Sequence, residues 1–195
     1  MTVRGKSTSL FAILVLFISS CMSIDTTVKI EPGFVGQKYK NVCVMANYEV
    51  PIMQYDTEKS FCDVLKSRTV SAVRGQELFN ESRYDFNDDS TFAVLKRNNI
   101  EACVIVRRGR IDPSIMFGSM EYQTTKYEVR HSYLYINNAV EFLISVLDIK
   151  TGKTPWSATS KTDCSGDFDT QVRKAIKVIA KDIEIRLRRD DVISW

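Results

Sequence analysis

Ala102-Cys103-Val104-Ile105-Val106 is an unbroken apolar run, too short for a helix and rich in β-branched side chains. It reads as a strand covered on both faces, as strands of a parallel sheet are. Upstream, Val42-Cys43-Val44-Met45-Ala46 has the same character, within a mostly apolar stretch that opens at Tyr39. Between the two runs lie helix signals. Pro51 closes a loop, and Asp56 or Thr57 is placed to cap a helix whose Phe61, Val64, Leu65 and Arg68 fall at helical spacing, ending near Ser67. Thr69 to Val73 predicts a second strand, and Asp89 or Ser90 opens a helix bearing Phe92, Val94 and Leu95. Strand, helix, strand, helix, strand is the pattern of right-handed parallel crossovers, with residues 42–46 and 102–106 as parallel neighbours.

The second half changes character. Glu121 to Tyr135 alternate loosely, Val140 to Ile149 predict a strand, and Thr151-Gly152-Lys153 predicts a turn into Pro155-Trp156-Ser157-Ala158-Thr159, together an antiparallel meander. A closing helix from about Phe168 to Arg188 is expected to set Phe168, Val172, Ala175, Ile176, Ile179, Ile183 and Leu187 on one face. Its basic end, Arg186, Arg188 and Arg189, suits a solvated helix C-terminus. The fold class expected is therefore α/β: one domain over residues 39–195 with a mixed sheet, a β-α-β-α-β first half, an antiparallel meander and a C-terminal helix.

Composition bounds the function. The 195 residues are 44% hydrophobic and 26% charged, as one globular domain requires. With 27 Lys+Arg against 24 Asp+Glu the net charge is only +3, which argues against nucleic acid as partner. His131 is the one histidine, which excludes metal sites built from several, and the glycines never form GxG.

At the N-terminus, Arg4 and Lys6 precede an apolar run from Leu10 to Ile18, and small residues follow. This is the layout of a secretory signal over residues 1–20, and the run is too short for a spanning helix, which needs about 20 residues. Ile18-Ser19-Ser20-Cys21 stands at its end and resembles the bacterial lipobox. That resemblance implies diacylglycerol on the Cys21 thiol, cleavage just before it, and usually a further acyl chain such as palmitate on the new amino terminus. Neither Ser19 nor Ser20 could form the thioether. The resemblance also implies a bacterial outer-membrane protein facing the periplasm, because Met22 and Ser23, not Asp, follow the cysteine. Loss of Arg4 and Lys6 would take the charge from +3 to +1, so attachment would rest on lipid. Residues 21–38, with Thr26, Thr27, Pro32, Gly33 and Gly36, are expected to form a flexible tether.

The strand at Val42 to Ala46, the helix after it, Ile100 to Val106, and Asp148-Ile149-Lys150-Thr151-Gly152-Lys153 leading to Trp156 are similar to small bacterial envelope lipoproteins. These share the α/β architecture of the TolB amino-terminal domain, as do the curli secretion lipoprotein and a lipoprotein activator of peptidoglycan synthesis. The resemblance implies an assembly or accessory role through binding other envelope components. The sequence departs from the curli channel in showing no clear pair of long amphipathic hairpins.

Signals of catalysis fail on spacing. Gly152-Lys153-Thr154 lacks the glycine of a phosphate loop, since Leu147 stands in its place. Asp163, Asp167 and Asp169 suggest calcium, but Lys174 falls where a bidentate Glu is needed, and Asp167 suits a helix cap. No G-x-S-x-G accompanies His131. Asp148 and Trp156 are better explained by turn capping and core packing than as a ligand pair. With no C-x-x-C, Cys43 and Cys103 are expected as buried free thiols, and Cys62 and Cys164 are left open.

The leading expectation is thus a lipid-anchored, non-enzymatic envelope protein without cofactor, its partners being the membrane and an envelope protein. The alternatives are a self-assembling homo-oligomeric subunit of a secretion or envelope complex, and an envelope hydrolase using a carboxylate or His131.

Overall fold

The computed structural model describes residues 23–34, 36, 38–48, 51–67, 69–79, 89–124, 127–165 and 168–194, with backbone alone at 110–124, 127–139, 164–165 and 168–169. The strands are β1 (Ile24–Ile30), β2 (Asn41–Asn47), β3 (Ser71–Arg74), β4 (Ala102–Thr124), β5 (Tyr127–Asp148) and β6 (Trp156–Ser165). The helices are α1 (Pro51–Leu65), α2 (Gly75–Phe79), α3 (Asp89–Arg97) and α4 (Phe168–Arg189). One mixed sheet runs in the order β1-β6-β5-β4-β2-β3. β2 is parallel to β3 and to β4, with Val42 opposite Ala102 and Ala46 opposite Val106, as the two apolar runs predict. β5 and β6 continue antiparallel, so the α/β reading holds.

The central strands read as continuous apolar runs because both faces are covered. On one face α1 and α4 pack together, setting Phe61, Leu65, Ile176, Ile179 and Ile183 against Val44, Val104, Phe142 and Ile144. An Arg173–Asp56 ion pair at 2.6 Å ties the two helices at their rim. On the other face Cys43, Met45, Cys103 and Ile105 meet Leu95, with Leu78, Phe79 and Phe92 packed against them. Cys43, Cys62 and Cys103 are free, as expected of the first and third, and Cys43 lies opposite Cys103. Hydrogen bonding to Cys103 and then burial push the Cys43 thiol well up, while burial carries Cys62 to about 12.

Three expectations need correction. The tether proposed for residues 21–38 contains β1, which pairs antiparallel with β6 from Ile24 opposite Thr162 to Ile30 opposite Trp156, so ordered structure begins well before Tyr39. Alternation of Ile24, Thr26 and Val28 with Asp25, Thr27 and Lys29 suits an edge strand half-buried on one face. Helix α1 starts at Pro51, not after Asp56: proline at a first helical position has no amide to waste there and a φ already helical. The loosely alternating residues 121–135 are not one strand of a short meander. They hold the end of β4 and the start of β5, strands of 23 and 22 residues paired out to Thr124 opposite Tyr127.

β6 pairs with β5 only as far as Asn137 opposite Ser165, and β2 pairs with β4 only to Arg107. From Ile115 opposite Ile136 outward, ten residue pairs therefore form a two-stranded ribbon beyond the sheet. At about 3.4 Å per residue it reaches about 34 Å. A register shift between Arg108 and Ile111 marks its base. There a Cβ on Gly109 would meet Glu141 Cγ at 2.9 Å, so the Glu141 side chain fills the space that a larger residue would need.

Candidate functional site

At the sheet end opposite the ribbon, Tyr39 and Asp148 are brought together across 109 positions of sequence. Tyr39 is held by a single parallel bridge to Ile193: its amide donates to Val192 O at 3.0 Å, and its carbonyl accepts from Ser194 N at 3.2 Å. Asp148 closes β5. Its Oδ1 accepts from Thr151 N at 2.7 Å, and Gly152, at φ +67°, supplies the left-handed residue that turns the chain back so that Asp148 N donates to Lys153 O at 2.9 Å. The Tyr39 hydroxyl donates to Asp148 Oδ2 at 2.7 Å.

Two clefts flank this pair. One, about 520 Å³, lies between Glu31, Phe34, Lys153 and Pro155; the other, about 760 Å³, lies between Lys38, Asn41, Lys96, Glu101 and Lys150. Glu101 Oε2 accepts from Lys40 N at 2.6 Å and Asn41 N at 3.1 Å, fixing the entry to β2. Lys38 reaches Asp191 at 3.1 Å. Four lysines from three separate segments, with Lys150 and Lys153 in one turn, thus rim the clefts, an arrangement suited to acidic surfaces.

The pair is poorly suited to proton transfer. Burial opposes the charge on Asp148, but the Tyr39 hydroxyl and the Thr151 and Lys150 amides outweigh it and hold the carboxyl below its usual range. Burial, followed by the bond to Asp148 and the charges of Asp148 and Glu101, pushes the Tyr39 phenol up and keeps it protonated. Both carboxylate oxygens already accept bonds from the chain. The arrangement orders a surface; it does not offer a free base.

Of the residues singled out in the sequence, Asp148 caps its turn. Trp156, fully buried, donates from Nε1 to Asp190 Oδ2 at 3.0 Å, so the two act separately, as turn and core. Asp163 is exposed, and Lys153 and Thr154 line the smaller cleft in a turn with no helix following. His131 lies on the ribbon opposite Met120. The side chains of His131, Cys164 and Asp169 and the whole of Cys21 and Asp167 lie outside the described residues.

Two carboxylates were not legible in advance. Besides Glu101, Glu58 is fully buried in α1: Oε1 accepts from Ala46 N at 3.1 Å and Gln54 Nε2 at 3.4 Å, and Oε2 from Gln76 N at 3.1 Å. It ties the end of β2 to the start of α2. Its i,i+4 spacing from Gln54 on the core face of α1 was the one available signal. Nearby, burial carries the Tyr48 phenol to about 12 against the neighbouring Thr57 hydroxyl and the charge of Arg108.

No family model and no curated protein matches the chain. Among solved structures, it is similar to the PelC dodecamer from Paraburkholderia phytofirmans, at 11% identity and TM-score 0.46 over 82% of this chain and 96% of that one. It is similar to lipoprotein GNA1162 from Neisseria meningitidis, at 10% identity and TM-score 0.45 over 74% and 98%. Protein XCC0632 from Xanthomonas campestris gives 9% and 0.38 over 80% and 87%.

Proposed function

We propose that this chain is a lipid-anchored, non-catalytic protein of the bacterial envelope, facing the periplasm from the outer membrane, whose domain binds another envelope component in an accessory or assembly role. The observation that carries this reading is Ile18-Ser19-Ser20-Cys21 at the end of an apolar run, only two residues before the first described residue of the domain. Diacylglycerol on the Cys21 thiol and an acyl chain on its amine would hold the domain, at about 0.8 kcal/mol per buried methylene. Because β1 begins at Ile24, the domain would sit close to its membrane, without a long tether. Thr162 Oγ1 donates to Ser23 O at 3.0 Å, so an anchor at Cys21 would lie toward the end of the sheet where the ribbon leaves it. The clefts at Tyr39 and Asp148 then lie eight residues further along β5 from Val140, the partner of Thr162, or about 27 Å from that end. That is where a partner would be met.

A second reading, a self-assembling subunit, is favoured by the ribbon's outer edges, which have no ladder partner among the described residues and are open to a strand of another copy. Photo-crosslinkers at positions 96 and 150, introduced in intact cells, test the first reading against the second. Discrete adducts to one other envelope component support the accessory role; adducts to the chain itself support self-assembly. Adducts at neither position, with full function retained in a Lys96→Glu, Lys150→Glu double variant, would remove the clefts from the account.

A further inference from the structure

Three clefts open side by side at the sheet end that carries Tyr39 and Asp148. The two that flank this pair share it, and a third, of about 570 Å³ between Lys40, Lys66 and Ser71, meets the larger of them at Asn41. They adjoin because the parallel strands β2, β3 and β4 enter the sheet here and antiparallel β5 leaves it. Lys38 and Lys40 precede β2, Lys66 follows α1, Lys96 stands in the last turn of α3, and the turn after β5 supplies Lys150 and Lys153. All six are exposed, and only Lys38 has an ion-pair partner among the described residues, Asp191. Helix C-termini favour cations whatever they bind, which accounts for Lys66 and Lys96; the other four stand at no helix end.

Three carboxylates also line the clefts, Glu31, Glu101 and Asp148. Asp148 is engaged by the Tyr39 hydroxyl and Thr151 N, Glu101 by Lys40 N and Asn41 N, and Glu31 lies 3.9 Å from Lys29. Even with Asp191 counted, six ammonium groups face four carboxylates. The cleft at Lys153 differs in kind, since Pro32, Phe34 and Pro155 form its walls. Its outer wall is a fixed turn: Glu31 N donates to Pro155 O at 2.9 Å, Phe34 N donates to Glu31 O at 3.1 Å, and Gly33 takes φ +86°. Phe34 packs on the main core behind it, so the apolar cleft is shaped before any partner arrives.

We infer that this end of the domain takes an extended acidic polypeptide segment of its partner, with carboxylates along the clefts from Lys150 and Lys96 to Lys40 and Lys66, and a bulky apolar side chain in the Phe34–Pro155 cleft. The inference rests on the reading of the clefts as the partner surface and names that partner's chemistry. Lipid phosphates of the anchoring membrane are out of reach, about 27 Å away along β5. An anionic polysaccharide would meet the lysines but has no apolar side chain for the cleft, and its hydroxyls would lose water against the proline and phenylalanine walls. A peptide supplies both parts: the apolar residue anchors, and the charges set register and speed the encounter.

The test uses the full-length, detergent-solubilised protein and a fluorescein-labelled copolymer of glutamate and tyrosine, read by anisotropy. Unlabelled copolymer, polyglutamate and polygalacturonate compete, and intact mass of the same preparation reports acylation of Cys21 separately. Polyglutamate should compete about threefold or more less well than the copolymer, and polygalacturonate less well again. Lys96→Glu with Lys150→Glu should weaken binding about tenfold or more, as should raising salt from about 0.05 M to about 0.3 M, whereas Lys177→Glu with Lys181→Glu, exposed on α4, should change it less than about twofold. Phe34→Ala should remove the preference for copolymer over polyglutamate; Pro32→Asn, exposed in the same turn, should reduce it and serves if Phe34→Ala lowers Tm. No binding of the copolymer, equal weakening by the two charge reversals, or polyglutamate competing as well as the copolymer would overturn the inference. Polygalacturonate as the best competitor would mean a carbohydrate partner and overturn it too. Crosslinks still forming at positions 96 and 150 after such a failure would keep the clefts as the partner surface. Binding as described by a protein without an acyl group would keep the site and remove the lipoprotein reading.

Discussion

Glu58→Ala should be among the most damaging single changes in the domain, although sequence inspection places it in the middle of an ordinary helix. The carboxylate is fully buried and accepts from two backbone amides, Ala46 N and Gln76 N, each at 3.1 Å, and from Gln54 Nε2 at 3.4 Å. A hydrogen bond to a charged group contributes about 1.5–3 kcal/mol, and a buried donor left alone costs about 1–3 kcal/mol. Two orphaned amides, partly offset by relief of the desolvation of a buried carboxylate, give a loss of about 3–5 kcal/mol. Glu58→Gln keeps the shape and one acceptor but turns an amide donor toward an amide donor, for about 1–2 kcal/mol. Urea unfolding of the detergent-solubilised protein, followed by Trp156 fluorescence in a Trp195→Phe background, measures both. With a slope of about 2 kcal/mol per molar urea, Glu58→Ala should lower the midpoint by about 1.5–2.5 M at unchanged slope. A Glu58→Ala protein within about 0.5 kcal/mol of the parent would refute the claim that this carboxylate joins β2 to α2.

Ile179→Asp puts an unpaired charge at a fully buried position of α4, at a cost of several kcal/mol against a total stability of about 5–15 kcal/mol, and should unfold the domain; an unchanged Tm would mean α4 does not dock. Trp156 in the same Trp195→Phe background should resist iodide quenching far better than free tryptophan, because its indole is fully enclosed. The Asp148 carboxyl is depressed in the folded protein, so its contribution is present above the unfolded value of about 3.9 and is lost as pH falls through the lower folded value. The stability gap between the parent and Asp148→Asn should therefore close as pH drops below about 4, and a gap constant from pH 7 to 3 would show that the carboxylate is not held by Tyr39 and Thr151.

The first half of the fold is legible because a parallel strand covered on both faces writes itself as an uninterrupted apolar run, as at residues 42–46 and 102–106, and the closing helix because α4 keeps its stripe from Val172 to Leu187, about four turns. The ribbon is not, since Thr125-Lys126 lacks the Asn-Gly chemistry of a tight hairpin and Pro113 reads as a break. Pro113 is tolerated because β2 stops at Asn47, opposite Arg107, leaving β4 at Pro113 no second ladder partner among the described residues. β1 was obscured by adjacent threonines and the Pro32-Gly33 that follows them, a composition shared by edge strands and linkers. Tyr39 and Asp148 meet only through the assembled sheet and the segment that follows α4, and no local pattern announces a contact 109 residues apart.

The central claim is that Cys21 carries lipid and holds the domain on its membrane. Intact-mass analysis of the protein extracted from membranes tests it directly. The account predicts a chain beginning at Cys21 with the added mass of diacylglycerol and an amide-linked acyl group, and a Cys21→Ser variant that is unprocessed or soluble. A membrane-bound chain that retains residues 1–20, or one with a free thiol at Cys21, would contradict it.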